Sequence, residues 1–277
     1  MSLERPQAQE SVVLKPERIE APGGSKVEFI PQRGGLVASF RPRGREALYM
    51  DKGTLTNPRE NVRGGIPILF PNAGPIKNPL YPNLPQHGFA RGSSAWESTI
   101  SPDKAEFTEW LHSSEETLAM YPYKFLLEMN GRLDENMFTL TQSVTNLEEE
   151  NEMPVAFGLH PYFPVRNADK SKITFEFPGG EVLEEKKAEW MQGKAVSIDN
   201  PKAYALNAEM RVRIPGLGTL ILEASPEYKK IWMWSLPGQD FVCIEPVMRD
   251  SGGLVDDPMR LQPAEIYSAK FSIKLER

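Results

Sequence analysis

Apolar residues recur at every second position in short runs, and glycine and proline punctuate the runs. "KVEFI" and "LVASFRP" flank a Gly34-Gly35 turn. "YKFLLEMNGRLDENMFTLTQSVTNL" reads as a hairpin followed by a longer strand. In it Phe138, Leu140, Gln142 and Val144 fall on one side, and Thr139, Thr141, Ser143 and Thr145 on the other. That is the period of two of a half-buried strand. "MRVRIPGLGTLILEAS" predicts a second hairpin, "KKIWMWSL" and "DFVCIEP" two more strands, and "AEIYSAKFSIKL" alternates to the C-terminus. No long amphipathic helix appears; residues 112–120 and 256–261 predict short helical turns. Many short strands between turns imply an all-β sandwich or barrel. With no repeat or linker, residues 21–277 are expected to form one domain. Residues 1–20 are expected as a polar segment that could supply an edge strand.

Composition narrows the class. The chain has 277 residues, 40% hydrophobic and 25% charged, enough for a sizeable core. Its net charge of -6 gives no general attraction to nucleic acid. A single cysteine, Cys243, excludes an internal disulfide, and no CxxC or HxxxH spacing suggests a metal site. The opening "MSLERPQAQESVVLKPERIE" lacks the apolar stretch of a signal peptide, and no run approaches the ~20 apolar residues of a membrane span. A soluble, cytoplasmic protein without nucleic-acid or membrane partners is the expectation.

Three stretches carry chemistry. "NVRGGIPILFPNAGP" puts Arg63 before two glycines and a short apolar strand, where backbone could approach a ligand and a guanidinium could grip its oxygens. The absence of a GK[ST] element argues against nucleotide binding. "LPQHGFARGSSAWE" sets Gln86, His87 and Arg91 in a loop-like segment with no apolar periodicity to bury the imidazole. "FGLHPYFPV" embeds His160 among aromatic residues, whose faces suit the C–H face of a pyranose. Each piece alone also fits a bland account: a turn arginine, a surface histidine, a satisfied core histidine.

RGGIP, QHGFAR and LHPYF, in that order and at these intervals, resemble the aldose 1-epimerase (galactose mutarotase-like) superfamily, nearest to its glucose-6-phosphate 1-epimerase branch. The resemblance covers roughly Gly24 to the C-terminus and implies a large antiparallel β-sandwich. It also implies a carboxylate on a late strand, which Glu245 in "FVCIEPVMRDSGG" matches. Glu245 ends the apolar run Phe241 to Ile244, and burial there would raise its pKa and make it a workable base. Two departures flank the motifs. Pro161 follows His160 where threonine is frequent, and "PNAGP" replaces the more usual Pro-x-Phe-Gly.

Interconverting sugar anomers requires a base for the C1 hydroxyl proton and an acid for the ring oxygen. A carboxylate and an imidazole meet that need without metal or cofactor. By the resemblance, Glu245 is the base, His160 the acid, and His87 a second histidine holding the sugar. Arg63 and Arg91 resemble a phosphate clamp, with Gln86 beside them and Asp199 of "SIDNP" as a further sugar-holding candidate. The expected partner is a hexose or hexose 6-phosphate, and the expected state a monomer or weak dimer. The competing readings are a non-catalytic carbohydrate-binding or sugar-sensing protein of the same fold, and a polysaccharide-processing enzyme. The latter would need a second suitably placed acid.

Overall fold

The computed structural model describes residues 14–276. Nearly all of its regular structure is antiparallel strand. The two largest sheets have eight and six strands, accompanied by a three-stranded and a two-stranded sheet. The all-β sandwich reading of the sequence therefore holds, as a single domain.

The long hairpin forms as its alternation dictates. Phe125–Asp134 pairs with Met137–Asn146 at the centre of the eight-stranded sheet. Phe138, Leu140, Gln142 and Val144 are all buried, whereas Thr139, Thr141, Ser143 and Thr145 are only half-buried. Gln142 is the polar member of the inward row. Its amide is satisfied between the sheets, donating to the Leu69 carbonyl at 3.4 Å and accepting from the Tyr228 hydroxyl at 3.2 Å. The apolar core fills the space around it, with Phe29, Phe40, Phe107, Phe138 and Phe157 fully buried.

The six-stranded sheet positions the site. In Phe241–Val247, Val242 and Ile244 enter the main core, while Phe241, Cys243, Glu245 and Val247 point to the opposite face. The neighbouring strand Lys230–Trp234 does the same, sending Ile231 and Met233 inward. Register then aligns Trp232 with Glu245 and Trp234 with Cys243. On the far side of Lys230–Trp234, the strand Val196–Asp199 sets Ser197 beside Trp232. One row of the sheet thus reads Ser197, Trp232, Glu245.

Several expectations need correction. Of the two predicted helical turns, the first forms as Glu115–Met120, capped by Ser114. Within 256–261 only Asp256 is helical, ending the turn Gly253–Asp256, and Met259–Leu261 is a strand paired with Met153–Val155. Three short helices, Lys52–Thr56, Gly180–Glu185 and Lys187–Met191, were not anticipated. They are too short to show a helical stripe, and Trp190 anchors the last of them in the core. At the N-terminal end Glu17–Ala21 forms an edge strand against Ser25–Ile30, so it straddles the expected boundary at residue 20. Residues 1–13 of the proposed polar segment lie outside the described residues. Among the described residues, no helix is long and apolar enough to cross a membrane.

Candidate active site

The three sequence motifs converge because backbone contacts join them. The RGGIP loop docks on the histidine segment: His160 N–H donates to the Pro67 carbonyl at 3.0 Å, and Tyr162 N–H to the Gly65 carbonyl at 2.9 Å. Gly64 and Gly65 of this loop pack closely against other backbone. A Cβ on Gly65 would lie 2.2 Å from the Val37 carbonyl oxygen, at a φ of +64. The QHGFAR loop is tied to the strand end at Phe70 in the same way. A Cβ on Gly88 would stand 1.8 Å from the Phe70 oxygen, so only glycine fits.

A cavity of about 800 Å³ opens where these loops meet the six-stranded sheet. His87, His160, Glu245, Arg63, Arg91 and Gln86 all line it. Asp199 does not line it. Strand alternation puts Asp199 on the same face as Ser197, but one row further out, where Lys230 pairs with it at 2.7 Å and the Tyr204 hydroxyl donates to it. The acidic side chain beside Ser197 and Trp232 is instead Asp250, just beyond the strand carrying Glu245. Its Oδ1 accepts from Trp232 Nε1 at 2.9 Å and from the Ser197 hydroxyl at 2.5 Å.

At the base of the cavity, His160 Nε2 lies 3.4 Å from Glu245 Oε1, with both side chains almost fully buried. Burial pushes the Glu245 carboxyl up to about 8, against an opposing pull from the Arg91 guanidinium. Burial also holds His160 well below the ordinary imidazole range, and His87 and Arg91 press it further down. Both shifts favour a neutral carboxyl and a neutral imidazole over an ion pair. Glu245 Oε2 and His160 Nδ1 are buried without a hydrogen-bond partner. The His160 ring stacks on Tyr162 at 4.7 Å and meets Trp234 edge-on at 5.8 Å, which fixes its plane.

His87 occupies a left-handed backbone conformation, φ +67, in the loop. Gly74 N–H donates to its Nδ1 at 3.1 Å, which places the ring proton on Nε2, and the Gln86 amide 3.1 Å away accepts it only with its oxygen turned toward the ring. Burial, aided by Arg91, lowers its pKa to about 3, so the ring is a neutral donor. Its centroid is 5.4 Å from that of His160. Arg91 donates to the Gln86 carbonyl at 3.1 Å, and it and Arg63 both act electrostatically on the Tyr162 phenol.

Sequence reasoning missed Asp250, Ser197, Tyr162, Trp232 and Trp234 as members of this cavity. The two tryptophans were legible in principle: "IWMW" alternates, and the same phase that buries Ile231 and Met233 puts both indoles on the other face. Asp250 had no such signal, since its place depends on how the chain turns after the strand.

Comparison with known proteins agrees with this architecture. The family profile described as Aldose 1-epimerase matches residues 18–274. Two curated relatives carry the name "Putative glucose-6-phosphate 1-epimerase". The Escherichia coli K12 protein is 29% identical over 153 residues, 54% of this chain and 48% of that protein. The one from Cenchrus ciliaris is 28% identical over 151 residues, 50% and 44% of the respective chains. The matched stretch thus spans about half the length of these relatives. Among solved structures, the Slr1438 protein from Synechocystis sp. PCC 6803 shares the fold with a TM-score of 0.83 at 23% identity, over 99% of both chains. With the family profile matching nearly the whole described chain, the protein belongs to the aldose 1-epimerase family.

Proposed function

We propose that the protein is a mutarotase interconverting the α and β anomers of a hexose 6-phosphate, by general acid–base ring opening. The observation that carries this reading is the buried His160–Glu245 pair, 3.4 Å apart, in a cavity that two arginines also line. Ring opening needs one group to give a proton while another takes one, and closure exchanges the roles. The pair supplies both.

In the working form the proton sits on His160 and Glu245 is a carboxylate; Arg91 favours the carboxylate but opposes the imidazolium, so this form is reached from the neutral pair as the sugar binds. Glu245 then takes the C1 hydroxyl proton as His160 delivers its proton to the ring oxygen. The C1–C2 bond rotates, the ring recloses on the other face, and the protons return. His87 Nε2–H donates to an oxygen near C1. Asp250, pre-oriented by Trp232 and Ser197, accepts from ring hydroxyls, and the indole faces cover the C–H face of the pyranose.

The phosphate reading follows from the position of Arg91. It lines the same cavity as His160 and Glu245, and its charge acts on both. In a hexopyranose C6 is carried by C5, which is bonded to the ring oxygen. A 6-phosphate therefore arrives near the group that protonates that oxygen, within reach of Arg91 and Arg63. Guanidinium forks suit that dianion.

The deciding experiment is polarimetry or exchange NMR on freshly dissolved α-glucose and α-glucose 6-phosphate, with and without protein. Faster equilibration of the phosphate ester, with less effect on glucose, is the expected outcome. Sugar binding without any acceleration would instead favour the sugar-sensing reading.

A further inference from the structure

The mechanism leaves the one thiol of the Glu245 strand unexplained. Cys243 lies two residues before Glu245 on the same face, opposite Trp234 and Tyr162. One ligand atom from each of His160, Cys243 and Glu245 falls within 4.8 Å of the others, and all three residues are buried. Anomer exchange has no use for a thiol here, and burial keeps it protonated.

We propose that His160, Cys243 and Glu245 form a binding site for a thiophilic divalent cation, with Zn²⁺ or Cd²⁺ as ligand, whose occupancy shuts off the acid–base pair. Geometry supports it. Ligands on a tetrahedral zinc ion at about 2.0–2.3 Å stand roughly 3.3–3.6 Å apart. The 3.4 Å between His160 Nε2 and Glu245 Oε1 already matches. Cys243, within 4.8 Å, needs to close by about 1.5 Å at most. Glu245 Oε2 is buried with no partner, so the carboxylate has coordinating capacity to spare. Binding forms bonds from the ion to sulfur, oxygen and nitrogen; the thiol proton and any carboxyl proton leave to solvent, with no redox change.

The same surroundings mark the ion as an inhibitor and not a resident. His160 Nδ1 has no hydrogen-bond acceptor to stiffen it as a ligand, and the Arg91 guanidinium beside Glu245 opposes an added positive charge. The thiol sets the selectivity: zinc and cadmium bind, whereas magnesium and calcium, which prefer oxygen, do not.

The inhibitory consequence rests on the mutarotase reading, but occupancy can be measured without it. Cys243 is the only cysteine, so any cadmium–thiolate charge-transfer absorbance in the intact protein reports this site. Titration with Cd²⁺ should give a band saturating at one ion per chain, absent in Cys243→Ala and at least tenfold weaker in affinity in Glu245→Gln. Zn²⁺ should compete the band away and Mg²⁺ should not. Zn²⁺ should also inhibit anomer exchange at least tenfold more effectively in the wild type than in Cys243→Ala, which keeps its basal rate, and EDTA should restore activity. Absence of a thiolate band, or an affinity unchanged by Glu245→Gln, would overturn the site, as would equal zinc sensitivity of an active Cys243→Ala. If the protein exchanges no anomers, the function reading fails while the cadmium titration still decides the site.

Discussion

His160 Nε2 and Glu245 Oε1 face each other at 3.4 Å, on segments joined because Gly158–Leu159 and Tyr162–Pro164 both pair with Phe241–Val247. The consequences for activity begin with the proton that the two groups share. Activity needs one proton on the pair, so anomer exchange should fall as pH rises through about 8, where Glu245 gives up the proton of the free protein. On the acid side, loss requires a second proton on His160, whose pKa is held well below its ordinary value. The rate should therefore stay level well into mild acid. A pH profile of kcat/KM by exchange NMR tests this; a maximum confined to pH 9 and above would contradict it.

Glu245→Gln preserves the side-chain shape but removes the proton acceptor. It should lower kcat by about 10²-fold or more, and His160→Asn should do likewise. Circular dichroism should show both variants folded, which separates lost chemistry from lost structure.

The two arginines should separate by position. Arg63→Ala should lower kcat/KM for hexose 6-phosphate by about ten- to hundredfold and spare free hexose, since a phosphate contact away from C1 mainly contributes binding. Arg91→Ala should show the same preference and a further effect. Removing its charge leaves the Glu245 carboxyl still higher, so the alkaline limb should move up in pH. Equal losses on both sugars would mean that these residues hold hydroxyls.

Asp250, not Asp199, should matter for sugar binding. Asp250→Ala should raise KM by about tenfold with a smaller effect on kcat, because its oriented carboxylate holds hydroxyls away from the reacting centre. Asp199→Ala, breaking an exposed pair with Lys230, should leave KM unchanged. Steady-state kinetics on the two variants decides between them.

Away from the site, Glu109 is fully buried in the core and neither carboxylate oxygen has a partner. Burial raises its pKa well above the ordinary carboxyl value. The folded chain keeps a proton that the unfolded chain releases above about pH 4.5, so stability is lost as pH rises from there toward the folded-state pKa. Glu109→Met should flatten that decline and add about 1–3 kcal/mol at neutral pH, read from urea unfolding.

Local pattern decided much of this protein in advance. A period of two specifies which residues of 138–145 face inward, and a histidine between Gln86 and Gly88 without apolar periodicity belongs to a loop. Motif order was enough to nominate His87, His160, Glu245 and the two arginines, all of which line one cavity. Tertiary structure decided what pattern cannot encode. Asp199 and Ser197 share a face, and only the pairing with Lys230–Trp234 puts Ser197 beside the cavity and Asp199 a row away. Asp250 reaches the cavity because the chain turns back after the Glu245 strand. The proton inventory of the His160–Glu245 pair is likewise a product of burial, since desolvation depends on how completely the assembled sheets and loops exclude water. Alternation acts between neighbours in sequence, whereas register and solvent exclusion arise only between segments that the fold brings together.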